Sequence, residues 1–144
     1  MKIITIGGKD YTLEYTIEAS LYKDCVEKIY GFVMQAADGA DGNSTKSAVA
    51  AISDVPQTAL IAFYAGLMEN HPEITGILDA KKLIKTYFSE NKDNEDANFY
   101  GLLGMLIECM DDDGFFKQIG LTQAMNQVET PKKKKKSATK VIEM

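Results

Sequence analysis

Apolar side chains fall on every second position over most of the first sixteen residues. "IITI" and "YTLEYT" flank "GGKD", and this alternation predicts the two strands of a β-hairpin, because successive strand side chains point to opposite faces. The glycine pair supplies the positive φ values that a tight two-residue turn requires. With Gly7 and Gly8 as the loop, Ile6 faces Lys9. Ile4, Ile6, Tyr11, Leu13 and Tyr15 then share one face, with Ile3, Thr5, Asp10, Thr12 and Glu14 on the other. A four-residue loop pairing Ile6 with Tyr11 leaves both faces unchanged. A lone hairpin is not stable in water, so its apolar face predicts a partner layer.

From Ile17 to about Ala37 the period changes to that of a helix, with Leu21, Cys25, Val26, Ile29, Phe32 and Val33 recurring at spacings of three and four. "DGADGNSTKS" reads as a loop. Its aspartates invite a calcium site, but "DGNSTK" has lysine where a calcium loop needs glycine, and no glutamate closes it. A short helix is expected in "KSAVAAIS". "SDVPQTALIAFYAGLMENHP" predicts a separate one, with Pro56 in its first turn, Ser53 or Asp54 as cap, and a stripe of Leu60, Phe63, Tyr64, Leu67 and Met68. His71, the single histidine, falls at its C-terminal end, where a cation complements the helix dipole. Thr75 is placed to cap the next helix, "GILDAKKLIKTYFSE", whose Ile77, Ala80, Ile84, Tyr87 and Phe88 line one side.

The last long helix, "DANFYGLLGMLIECMDDDGFFK", is apolar over much of its circumference. At 100° per residue, Phe99, Leu102, Leu103, Leu106 and Met110 cluster on one side. Ile107 widens the arc in one direction, and Met105 and Cys109 in the other, to roughly 200°. Such a helix either lies centrally in the core or offers its extra apolar surface to a partner. The acids of "DDDG" are expected to be solvated. Together these elements give an α+β, mainly α fold, with a two-stranded N-terminal hairpin packed on a bundle of about four or five helices. The domain is expected to span residues 1–127, and a disordered Lys-rich segment residues 128–144.

Composition narrows the function. A 144-residue chain with 45% hydrophobic residues is long enough for one core. No stretch approaches the roughly 20 apolar residues of a membrane span, and the N-terminus lacks the apolar block of a signal peptide, so a cytosolic location is expected. Cys25 and Cys109 have no metal-type spacing and read as small buried hydrophobes. Residues 1–128 hold ten lysines against nineteen acids, a net of −9, while residues 129–144 hold six lysines against two. An acidic body repels a phosphate backbone, and the chain has no arginine for bidentate phosphate contacts. One histidine, two distant cysteines and no nucleophile setting leave little for acid–base or covalent catalysis, so no enzymatic activity, cofactor or metal is expected.

The opening "ITIGGKDYTLEYTIEA" followed by an amphipathic helix resembles the start of tail assembly chaperones of long-tailed (siphovirus-type) phages of Firmicutes. The helices "LIAFYAGLMEN" and "ILDAKKLIKTYF" continue the resemblance, which covers most of residues 1–117. It lies in element order, length and hydrophobic pattern, with no catalytic signature to match. It implies a protein that coats the long helical tape measure protein, keeps it soluble and helps recruit tail tube subunits. It also implies action in the host bacterial cytoplasm and absence from the mature virion. Self-association stays open. A chaperone of this kind needs adaptable apolar surface, to which methionine is suited. The candidate partner-binding residues are therefore Met105, Ile107 and Cys109, joined by Met34 and Met68.

The resemblance also bears on "ETPKKKKKSATK". Many such phages produce an extended form by a programmed −1 ribosomal slip near the end of the chaperone gene. Lys132, Lys133, Lys134, Lys135 and Lys136 require AAA or AAG codons, so the run is expected at a slippery heptamer. A solvated linker, a nuclear-import-like signal and a nucleic-acid anchor are the competing readings. The last two define the alternative function, a small nucleic-acid-associated or regulatory adaptor.

Overall fold

A computed structural model of the chain describes residues 1–40 and 45–124, with side chains between 35 and 53 excepted. The N-terminal hairpin pairs β1 (Lys2–Ile6) with β2 (Lys9–Leu13) in antiparallel register, Ile6 opposite Lys9 and Lys2 opposite Leu13. Gly7 and Gly8 form the two-residue turn with φ of 60° and 78°, the left-handed values that favour glycine. Ile4, Ile6, Tyr11, Leu13 and Tyr15 are all buried, as the alternation requires. Burying each contributes roughly 1.5–3 kcal/mol.

The helical period after Ile17 is interrupted. It forms a short α1 (Ile17–Leu21) and a long α2 (Lys23–Ala40), because Tyr22 between them is extended at ψ 97°. The break rotates α1 out of phase with α2, so Leu21, expected in the buried stripe, is 76% exposed. Cys25 and Ile29 are fully buried, and Val26, Phe32 and Val33 pack beside them. α2 runs to Ala40, further than the turn-forming residues predict, and residues 41–44 of the expected loop lie outside the described residues.

The short helix expected in "KSAVAAIS" and the separate one expected to hold Pro56 in its first turn are one, α3 (Thr45–Leu67). An interior proline lacks the N–H for the carbonyl four residues earlier, at a cost of about 3 kcal/mol. Burial offsets it. Val55, Thr58, Ala59, Ile61, Ala62, Phe63, Ala65 and Leu67 are all buried, covering about two thirds of the circumference. α3, and not the last long helix, is the central element, packing on α1, α2 and β2 as well as α4 (Ile77–Glu90) and α5 (Phe99–Asp112). Asp54, offered as a cap, instead receives Lys28 Nζ from α2 at 3.2 Å.

The C-terminal turn of α3 shows how the hairpin docks. Helix ends leave backbone carbonyls without intrahelical partners. Here the Ala65 carbonyl accepts from Met68 N–H, that of Gly66 from Glu14 N–H at 2.9 Å, and that of Leu67 from His71 N–H at 2.9 Å. Tyr15 adds a buried bond from its hydroxyl to the Ala62 carbonyl at 2.6 Å. Gly66 makes room for it, since a Cβ there would lie 2.9 Å from Tyr15 Oη.

Thr75 stands one position before the cap of α4, which is Gly76, and its N–H and hydroxyl both donate to Asp79. α5 is capped by Asn98, whose Oδ1 accepts Gly101 N–H at 2.8 Å. Leu102, Leu103, Leu106 and Met110 are buried, with Gly104, Glu108 and Asp111 on the solvent side. A short α6 (Phe115–Gln118) follows, then a helical turn at 121–124 that buries Leu121. The fold is thus mainly helical with an N-terminal hairpin, as expected, and four of the helices among the described residues are long. The proposed domain limit at 127 and the segment 128–144 lie outside the described residues.

Candidate functional site

The five candidate partner-binding residues do not form one surface. Cys109 is buried at 3% exposure, its thiol 3.5 Å from the Leu13 carbonyl, so it belongs to the packing of α5 on the hairpin and offers nothing to a partner. The core arc of α5 is wider on that side than the five leucine, methionine and phenylalanine positions indicate. Met105 and Ile107 are partly buried and lie about 200° apart around the helix axis. They border the buried stripe on opposite edges, and no single face presents both. Met34 on α2 and Met68, just beyond α3, are likewise half-buried against the core. Lys132 to Lys136 lie outside the described residues.

Met105 lines an open depression of about 400 Å³ with Tyr87, Tyr100 and Glu108, over the glycine side of α5. A polar depression of about 440 Å³ between α2 and α3 contains Asp24, Glu27 and the Lys28–Asp54 pair.

A different cleft, of about 310 Å³, is lined mainly by carbon. α3 contributes Pro56, Gln57 and Leu60, α4 contributes Lys81, Ile84, Lys85 and Phe88, and α5 contributes Phe99. Ile84, one turn before Phe88, is buried at 3% and forms the floor. Phe88 and Phe99 meet edge to face with ring centroids 5.0 Å apart, which fixes the wall where α4 gives way to α5. The volume is at the lower limit of small-ligand pockets, about 300–1,000 Å³. It suits a few apolar side chains better than a large cofactor. Leu60, Ile84, Phe88 and Phe99 are legible in the sequence only as stripe residues of three separate helices. Their convergence depends on how α4 crosses α3, which periodicity does not encode.

The titratable groups are structural. Burial pushes the Cys25 thiol up to about 12, which keeps it protonated and unreactive. Burial also raises Cys109, against the opposing pull of the nearby N-terminal ammonium. His71, just past the end of α3, ties the hairpin to the loop that follows: its Nε2 accepts Thr12 N–H at 2.8 Å, which leaves Nδ1–H to donate to Glu73 at 2.9 Å. Of the three acids in "DDDG", Asp111 and Asp112 are solvated but Asp113 is not. It accepts Tyr15 N–H at 2.9 Å and the N-terminal ammonium, and its side chain is 13% exposed. Sequence reasoning missed it because its partners lie at the other end of the chain.

Among the described residues, no group of three or more His, Cys, Asp or Glu side chains converges as a metal site. Nor is any helix among them long and apolar enough to cross a membrane. No protein-family model, curated protein or solved structure matches the chain.

Proposed function

We propose that this protein is a tail assembly chaperone of a long-tailed phage. In this reading it binds the tape measure protein in the host cytoplasm, keeps it soluble, helps recruit tail tube subunits and is left out of the finished virion. It does no bond-making of its own. The resemblance over most of residues 1–117, in element order and hydrophobic pattern, supports the reading. The structural observation that carries it is the open apolar cleft bounded by Leu60, Ile84, Phe88 and Phe99. A long helical client has apolar faces that aggregate unless covered, and a cleft between helices is a standing site for such a face. Cys109 has no part in this binding, while Met105 keeps a place at the edge of the neighbouring depression.

Co-expression tests the proposal. A tape-measure-like chain that pellets alone is expected to stay soluble and co-purify with this protein. A client that pellets equally in its presence overturns the reading. The lysine run adds a genetic check: an A-rich heptamer over Lys132–Lys136 with an overlapping −1 frame is expected, and interrupted codons with no such frame remove the frameshifted form from the proposal.

A further inference from the structure

The cleft between α3, α4 and α5 differs in charge from the body around it. Residues 1–128 carry nineteen acids against ten lysines, yet among the described residues the charged ones lining this cleft are Lys81 and Lys85, and no carboxylate lines it. Both lysines are exposed, and among the described residues neither forms an ion pair. They stand one helical turn apart on α4, a spacing of ~6 Å along its axis. Their aliphatic stems extend the apolar wall while the ammonium groups reach water.

We infer that this cleft docks an acidic amphipathic helix. Apolar side chains at i and i+3 or i+4 of the incoming helix enter over Ile84, between Leu60 and Phe88. Carboxylates one turn apart on its flank meet Lys81 and Lys85. The inference rests on the chaperone reading and adds to it which face of a client is held. Apolar burial supplies the affinity; exposed ion pairs add little each but fix orientation and exclude basic segments. The occupant is a helix because the walls are helices and no strand edge borders the cleft for an extended chain to pair with.

The test uses the full chain, isotope-labelled, and two synthetic helical peptides that share a leucine stripe but carry either glutamate or lysine along its flank. The glutamate peptide is expected to shift the signals of Leu60, Ile84, Phe88 and Phe99 and to bind roughly fivefold or more tighter than the lysine peptide. The double variant Lys81→Glu/Lys85→Glu, at two exposed positions, is expected to reverse that preference. Equal binding of both peptides, a preference unchanged by the reversal, or shifts confined to other surfaces overturns the inference. So does decanoate filling the cleft while neither peptide enters it, which makes the site one for small amphiphiles. If the peptides behave as expected but no tape measure client is solubilised, the cleft stands and the chaperone reading falls. If a client is solubilised while neither peptide reaches the cleft, the inference falls and the chaperone reading stands.

Discussion

The carboxylate of Asp113 accepts the backbone N–H of Tyr15 at 2.9 Å, across 98 positions of sequence. It joins the end of α5 to the point where the hairpin leaves β2, and it also receives the N-terminal ammonium. Charge-assisted bonds to a largely buried carboxylate are stronger than neutral ones. Asp113→Ala is therefore expected to destabilise the fold by about 1–3 kcal/mol, while Asp111→Asn and Asp112→Asn stay within about 0.5 kcal/mol. Urea denaturation midpoints compare the three.

Tyr15 and Gly66 form a second coupled pair. Burial holds the Tyr15 phenol well above its ordinary range, so the hydroxyl is always a donor, to the Ala62 carbonyl at 2.6 Å. Tyr15→Phe is expected to cost about 1 kcal/mol. Gly66→Ala is expected to cost about 1–3 kcal/mol, because the new methyl meets Tyr15 Oη at 2.9 Å and Leu13 Cδ2 at 3.2 Å. In the double variant the nearest clashing atom is gone, so the combined loss falls short of the sum of the two. A double-mutant cycle measures that shortfall.

Gly101 and Gly104 look alike in the sequence, three residues apart on α5, but predict opposite outcomes. A Cβ on Gly101 would sit 2.1 Å from the Asp96 carbonyl oxygen, a backbone atom in the turn that sets the helix cap. Gly101→Ala is expected to displace that turn and lower the thermal midpoint. Gly104 has open space around it and is exposed, so Gly104→Ala is expected to stabilise the fold by about 0.5–1 kcal/mol through helix propensity. Calorimetry of the two variants separates them.

Acid sensitivity is expected at Glu73. Its carboxyl is lowered from 4.5 to about 2, chiefly by the hydrogen bond from His71, with Lys9 at 3.2 Å adding to it. A carboxylate whose folded pKa is depressed contributes fully above its unfolded value, and the contribution disappears as pH falls through the folded value. The loss therefore falls between pH 4.5 and about 2. Glu73→Gln is expected to flatten the pH dependence of stability in that window, read from urea midpoints at successive pH values.

Local pattern was a good guide where one face of an element is buried and the chain stays in phase. The hairpin is the clearest case, because alternation assigns Ile4, Ile6, Tyr11, Leu13 and Tyr15 to one face whatever the turn. The guide failed where tertiary burial outweighs a local signal. Pro56 reads as a helix start, yet the burial of Val55, Thr58 and Ala59 carries the helix straight through it. Leu21 fits a stripe until Tyr22 breaks the phase. Of the site, the apolar character of α5 was legible, and Cys109 reads both as a buried hydrophobe and as a partner contact; which of the two holds depends on where β2 crosses that helix, and that has no local signature. The cleft over Ile84 was invisible for the same reason: its walls come from three helices whose crossing has no local signature.

The position of α3 governs how the molecule comes apart. It is the keystone against which β2, α1, α2, α4 and α5 all lean. Without it the principal remaining packings are the hairpin on itself, β1 on α4, α1 on α2 and α5 on α6, none of which encloses an interior. No half of the domain has a dry centre of its own, so denaturation is a single cooperative event. Amide hydrogen exchange at Phe63 and Leu67 is expected to proceed only through global opening, at the same free energy as the slowest amides of α5.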